Sequence, residues 1–145
     1  MSYHTYHVYG YGICVDGIII KSVETLRNLI NLAPVYAAQV NEWLEINEIM
    51  EPTIQDLLDY DEDENCKLAS ILKAVIYEVE GVWFSACNNF DGNYYLLYEP
   101  SYPWEMAKTD KAMTRERVCE ILQKYISIIA DNCPQAEYHG VENGG

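Results

Sequence analysis

Residues 65–98, NCKLASILKAVIYEVEGVWFSACNNFDGNYYLLY, carry one helix pattern and two strand patterns in a single run. From Leu68, apolar residues recur at Ile71, Leu72, Val75, Ile76 and Val79, the spacing that lines one face of a helix. Gly81 ends that helix, because glycine adopts the backbone needed after a last helical turn without a Cβ clash. Residues 82–87 and 94–98 are then rich in aromatic and β-branched side chains and flank Asn88-Asn89-Phe90-Asp91-Gly92-Asn93, a turn-forming segment. Together they predict a helix followed by an antiparallel hairpin, which sets the fold class as α+β.

Working outward, residues 3–15 alternate aromatic or β-branched residues with small polar ones, and Asp16-Gly17 stands before Ile18-Ile19-Ile20. This predicts an N-terminal strand, with a hairpin where the turn dipeptide separates two β-prone runs. Ser22 has the character of an N-cap for a short helix carrying Val23, Leu26, Leu29 and Ile30. Pro34 opens a second helix whose apolar side is Tyr36, Val40, Trp43 and Leu44, extended through 46–50 until Glu51-Pro52-Thr53 stops it. Thr53 with Asp56 resembles a capping box for a brief helix at Leu57 and Leu58. Thr114 caps a last long helix through Val118, Ile121, Leu122, Tyr125 and Ile129, which Asn132 and Pro134 end. A short strand is expected near Tyr138, before a frayed Gly-rich end. The whole, 1–145, reads as a single α+β domain with an antiparallel sheet (the N-terminal strand plus the 82–98 hairpin) packed with four to five helices.

Charge narrows the functional classes. The chain carries 23 acids against 9 Lys and Arg, a formal net charge of -14, beyond the magnitude of roughly 2–8 that keeps a small domain soluble. Such a field repels nucleic acid and anionic lipid, so neither direct nucleic-acid binding nor membrane binding is expected. Basic protein surfaces or metal cations are its natural attractants. The N-terminal MSYHTYHVYGYG has no basic and apolar leader pattern, no run approaches a membrane span, and the five cysteines are odd in number and scattered. These features predict a cytoplasmic protein with buried thiols.

The acidity is concentrated. Residues 28–66 contain no Lys or Arg and ten acids: Glu42, Glu45, Glu48, Glu51, Asp56, Asp59, Asp61, Glu62, Asp63 and Glu64. Glu42, Glu45 and Glu48 repeat every three residues, which on a helix makes a slanting acidic stripe with a rise of about 4.5 Å per step. Like charges at that spacing, and acids toward a helix C-terminus, both oppose helix stability. A row of this kind imitates the phosphates of a nucleic acid and suits a basic, nucleic-acid-binding protein. Lys108, Lys111, Arg115, Arg117 and Lys124 gather near the other end; their pairing with the acidic block would cancel part of it. A second partner surface is suggested by the Tyr-rich segment ending in Tyr102 and Trp104, since Tyr and Trp combine apolar area with a polar tip. Through it the chain would act as a regulatory or immunity-type protein that oligomerises or binds a partner.

Motifs for chemistry are missing from the sequence. Asp59, Asp61 and Asp63 begin like a calcium loop, but Glu64 and Ser70 stand where the loop needs Gly and a bidentate Glu. His4 and His7 fall on opposite faces of a strand, and no Cys-x-x-Cys pair exists, so no metal or cofactor is expected. Gly10-Tyr11-Gly12 lacks the third glycine of a dinucleotide loop. Cys87 or Cys14 beside a histidine is the one conceivable nucleophile, and its strand context favours a buried thiol. The chain is therefore read as a non-enzyme.

Small size, acidity, scattered free cysteines, the 42–64 block and the Tyr-rich segment resemble phage-encoded inhibitors of bacterial defence, in particular anti-CRISPR proteins. The resemblance is one of character and carries over no functional residue. It implies a partner such as a Cas nuclease, whose DNA or guide-RNA site the chain would block without chemistry of its own.

Overall fold

The computed structural model describes residues 5–60, 66–89, 92–99 and 114–144. It is an α+β fold in which helices α1 (Val23–Asn31), α2 (Pro34–Ile46), α3 (Ile54–Leu58), α4 (Leu68–Glu80) and α5 (Arg115–Ile129) accompany a four-stranded antiparallel sheet. The strands are β1 (Thr5–Cys14), β2 (Ser85–Asn88), β3 (Tyr94–Tyr98) and β4 (Glu137–Gly144), in the order β2-β3-β1-β4.

The hairpin pairs Ser85 with Leu97 and Asn88 with Tyr94, around a turn in which Gly92 adopts φ 81°. β3 then joins β1 at Tyr11–Tyr98 through Cys14–Tyr95. The expected short strand near Tyr138 is longer than foreseen: β4 pairs with β1 from Gly12–Glu137 to Thr5–Gly144, so it runs into the glycine-rich end as an edge strand. Gly12 is placed for backbone packing, since a Cβ there would overlap the Leu96 carbonyl oxygen of β3.

Alternation sends Ile13 of β1 and Leu96 and Tyr98 of β3 to the face on which the helices pack. Leu68, Ile71, Leu72, Val75 and Ile76 of α4 are buried there, as are Val118, Ile121, Leu122, Tyr125, Ile126 and Ile129 of α5, with Leu26 and Leu29 of α1. Each fully buried side chain of this size contributes about 1.5–3 kcal/mol relative to exposure, so the inner faces of α4 and α5 both contribute heavily to the core; Val79, expected on the inner face of α4, is instead exposed in its last turn. The helix starts follow their caps. Ser22 Oγ accepts from Thr25 N, Thr53 Oγ1 from Asp56 N, and Thr114 Oγ1 from Arg117 N.

Four expectations need correction. Asp16-Gly17 does not turn a hairpin: residues 15–17 form one 3₁₀ turn, and residues 18–20 are not a strand. Their backbone is held by the far end of α5, where Ile19 N donates to Asn132 Oδ1 and Asn132 Nδ2 donates to the Gly17 carbonyl. The helix opened by Pro34 stops at Ile46, leaving Ile46 72% and Met50 91% exposed instead of on its apolar side. The first hairpin strand starts at Ser85, so Trp83 lies outside the sheet. The thiols are free, yet only Cys66 is fully buried; Cys14, Cys87 and Cys119 are half-buried and Cys133 is exposed.

Candidate functional site

Helix α2 owes its entry to a residue distant in sequence. Pro34 at the first helical position needs no partner for its nitrogen, and the next two N–H groups, of Val35 and Tyr36, donate to the Glu78 carboxylate at 2.9 and 3.0 Å. Tyr36, Ala37, Val40 and Leu44 face inward. Trp43 and Tyr36 each meet Tyr60 edge to face, at 5.6 and 5.9 Å between ring centres, which fastens α2 to the segment after α3. Glu42 and Glu45 are left on the outer side, exposed.

The exit of α2 is a Schellman motif: Ile49 N donates to the Leu44 carbonyl at 2.9 Å and Glu48 N to the Glu45 carbonyl at 3.0 Å. The left-handed position of that motif, where glycine is usual, holds Glu48 at φ 56°. The acidic stripe therefore ends at Glu45. Glu48 lies on the turn rather than on the helix, and Glu51 lies in the link to α3, so the row bends into an acidic corner. The corner surrounds apolar surface. A shallow depression of about 390 Å³ is lined by Arg27, Asn41, Glu42, Glu45, Ile49 and Met50, and Arg27 donates to Asn41 Oδ1 at 3.3 Å.

The block divides by role. Asp56 closes its own capping box, with Thr53 N donating to Asp56 Oδ2 at 2.9 Å. Asp59 receives Lys67 Nζ at 2.7 Å and Gln55 Nε2 at 2.9 Å, and the lysine beside it holds its carboxyl below the usual range. These two acids serve local structure. Glu42, Glu45, Glu48 and Glu51 are exposed and, among the described residues, make no ion pair. Asp61, Glu62, Asp63, Glu64, Tyr102 and Trp104 lie outside the described residues.

Helix α5 does not neutralise the corner. Lys124 Nζ and Arg117 Nη2 reach Glu80 at 2.9 and 3.3 Å, Arg117 Nη1 also reaches Glu120 at 3.5 Å, and Tyr125 Oη donates to Glu80 at 2.5 Å. These hydrogen bonds, first that of Tyr125 and then that of Lys124, draw the Glu80 carboxyl below its usual range. The tyrosines of the hairpin pack rather than project: Tyr98 is buried, and Tyr95 meets the His139 ring at 5.1 Å.

Burial pushes the Cys87 thiol up to about 11, which keeps it protonated and a poor nucleophile near neutral pH. Cys14 is shifted in the same direction for the same reason. Among the described residues no three His, Cys, Asp or Glu side chains are gathered to hold a metal ion, and no helix is long and apolar enough to cross a membrane. No family model matches the chain, and neither a curated protein nor a solved structure matches it. Sequence reasoning did not find the group formed by Lys73, Tyr77 and Glu78 of α4 and Trp83 of the link that follows it, which line one groove with Val35 and Tyr36 of α2.

Proposed function

We propose that this chain is a binding protein that docks the acidic corner at the end of α2 on a basic surface of a nucleic-acid-binding partner, and so competes with nucleic acid for that surface. The observation that carries the reading is Glu48. A non-glycine residue in a left-handed conformation costs roughly 1 kcal/mol, and a carboxylate at a helix C-terminus faces the negative end of the dipole. Both terms oppose the fold, and Glu45 and Glu51 nearby add like-charge repulsion. An acid held there against local stability is accounted for by what it meets outside the chain.

The surroundings support this. The axial step from Glu42 to Glu45 is about 4.5 Å, of the same order as the roughly 3.4 Å between successive charges on one DNA strand. Ile49 and Met50 supply apolar surface beside Glu42 and Glu45, the composition of an interface centre with a polar margin. The partner class is a protein with a basic nucleic-acid channel, of the kind a Cas effector represents.

Competition provides the test. A guide-loaded Cas effector is given labelled target DNA and increasing amounts of the chain, and DNA release is followed. Binding of the chain to the effector without DNA should weaken steeply as salt rises, and Glu42→Lys, Glu45→Lys, Glu48→Lys and Glu51→Lys together should lower affinity by at least about tenfold. An affinity for the effector that is unchanged by the four reversals sinks the reading.

A further inference from the structure

On another side of α2 lies a groove of about 500 Å³, within the roughly 300–1,000 Å³ typical of small-molecule sites. α2 contributes Val35 and Tyr36, α4 contributes Lys73 and Tyr77, Trp83 comes from the link after Gly81, and Ala86 comes from β2. Trp83 and Tyr77 meet edge to face at 5.1 Å and remain 57% and 52% exposed, and Val35 beside them is exposed as well. Large rings kept open to water in a concave site are surface that a ligand would cover.

The charges in the groove are sorted. Glu78 is occupied by the two N–H groups at the start of α2, so its carboxylate is directed to the backbone. Lys73 is left as the groove's cation: Nζ stands 4.4 Å from the centre of the Trp83 ring and, among the described residues, meets no carboxylate. The contact with the ring restrains a side chain that would otherwise lose rotamer entropy on binding, so the ammonium is partly preorganised. A single fixed positive charge on an aromatic wall matches a single negative charge attached to a flat apolar body. A bare anion would leave the rings uncovered. A cation would be opposed by Lys73.

We infer that this groove binds a small aromatic carboxylate, with Lys73 pairing the carboxylate and Trp83 and Tyr77 covering the ring. The site is separate from the acidic corner, and its ligand is independent of any macromolecular partner. Amide NMR and titration calorimetry on the full chain test it with indole-3-acetate, indole-3-acetamide, tryptamine and acetate. Indole-3-acetate should shift the signals of Lys73, Tyr77, Trp83 and Ala86, and each of the other three should bind at least about tenfold more weakly. Lys73→Met keeps the aliphatic stem and removes the charge; it should lower indole-3-acetate affinity by about tenfold while tryptamine does not weaken. Equal binding of acid and amide, shifts confined to another surface, or no shift up to about 10 mM ligand would each overturn the inference. The comparison of acid with amide is read on the unaltered protein, so it decides the matter even where Lys73→Met fails to fold.

Discussion

Two helices of this protein end beside a glutamate, and they treat it in opposite ways. At the end of α4 the left-handed position is given to Gly81, at φ 74°, and the acid stands one residue earlier. There Glu80 is only 13% exposed and is answered by Tyr125, Lys124 and Arg117 from α5. At the end of α2 the acid itself takes the left-handed position, no glycine relieves it, and no cation among the described residues answers it. The first glutamate binds two helices together. The second weakens the helix that carries it. Acidity alone therefore says little about role in a chain of charge -14; what separates the two sites is whether the carboxylate has partners inside the fold.

Removing the internal partner should produce the largest effect. Glu80→Ala leaves the hydroxyl of buried Tyr125 without its acceptor and separates Lys124 and Arg117 from their shared anion, a loss of about 2–3 kcal/mol by urea unfolding. The pH dependence has a definite sign. Because the folded carboxyl titrates below its usual 4.5, its contribution is complete above that value and disappears as pH falls through the depressed one. The parent protein should lose stability on acidification below about 4.5 more steeply than Glu80→Gln does, and parallel curves for the two would mean that Glu80 does not hold α4 to α5 in this way.

The opposite sign is expected at the other end. Glu48→Gly provides the residue that a Schellman motif prefers and removes a carboxylate from the negative end of α2, so stability should rise by about 1 kcal/mol while affinity for a basic partner falls. A variant that is less stable than the parent would show that the Glu48 side chain makes favourable contacts after all, and the contrast with Glu80 would fail.

How much of this was readable beforehand follows the range of the interactions. Ser22, Thr53 and Thr114 are caps whose acceptor and donor lie three residues apart, and a sequence displays them directly. The burial of α4 and α5 is equally local, being a matter of period. What stayed hidden joins distant residues. Glu78 caps a helix that begins forty-four positions earlier, at Pro34, and Asn132 draws residues 17–19 out of strand geometry. Trp83, in a run that resembles a strand, is turned into the groove by meeting Tyr77 and Lys73. The acidic block was legible as a block. Its division was not, since it is the folded chain that commits Asp56 and Asp59 to local bonds and sets Glu48 off the helix at positive φ.

The smallest change in stability is expected where the acids sit on ordinary helical backbone. Glu42 and Glu45 are exposed on α2, three residues apart, without an ion pair among the described residues, so their principal mutual effect is like-charge repulsion of about 0.2–0.5 kcal/mol. Glu42→Gln with Glu45→Gln should leave unfolding within about 0.5 kcal/mol of the parent, with any change on the stable side, because Gln and Glu have similar helix propensity. The same pair should still weaken a salt-dependent complex measurably, since two of the corner's charges are gone. If both stability and partner affinity are unmoved, Glu42 and Glu45 are merely a solvated helix face, and the functional acidity contracts to the turn at Glu48 and Glu51. That outcome would sharpen the comparison to its core: one glutamate at positive φ that no cation among the described residues answers, against one that Tyr125, Lys124 and Arg117 hold in place.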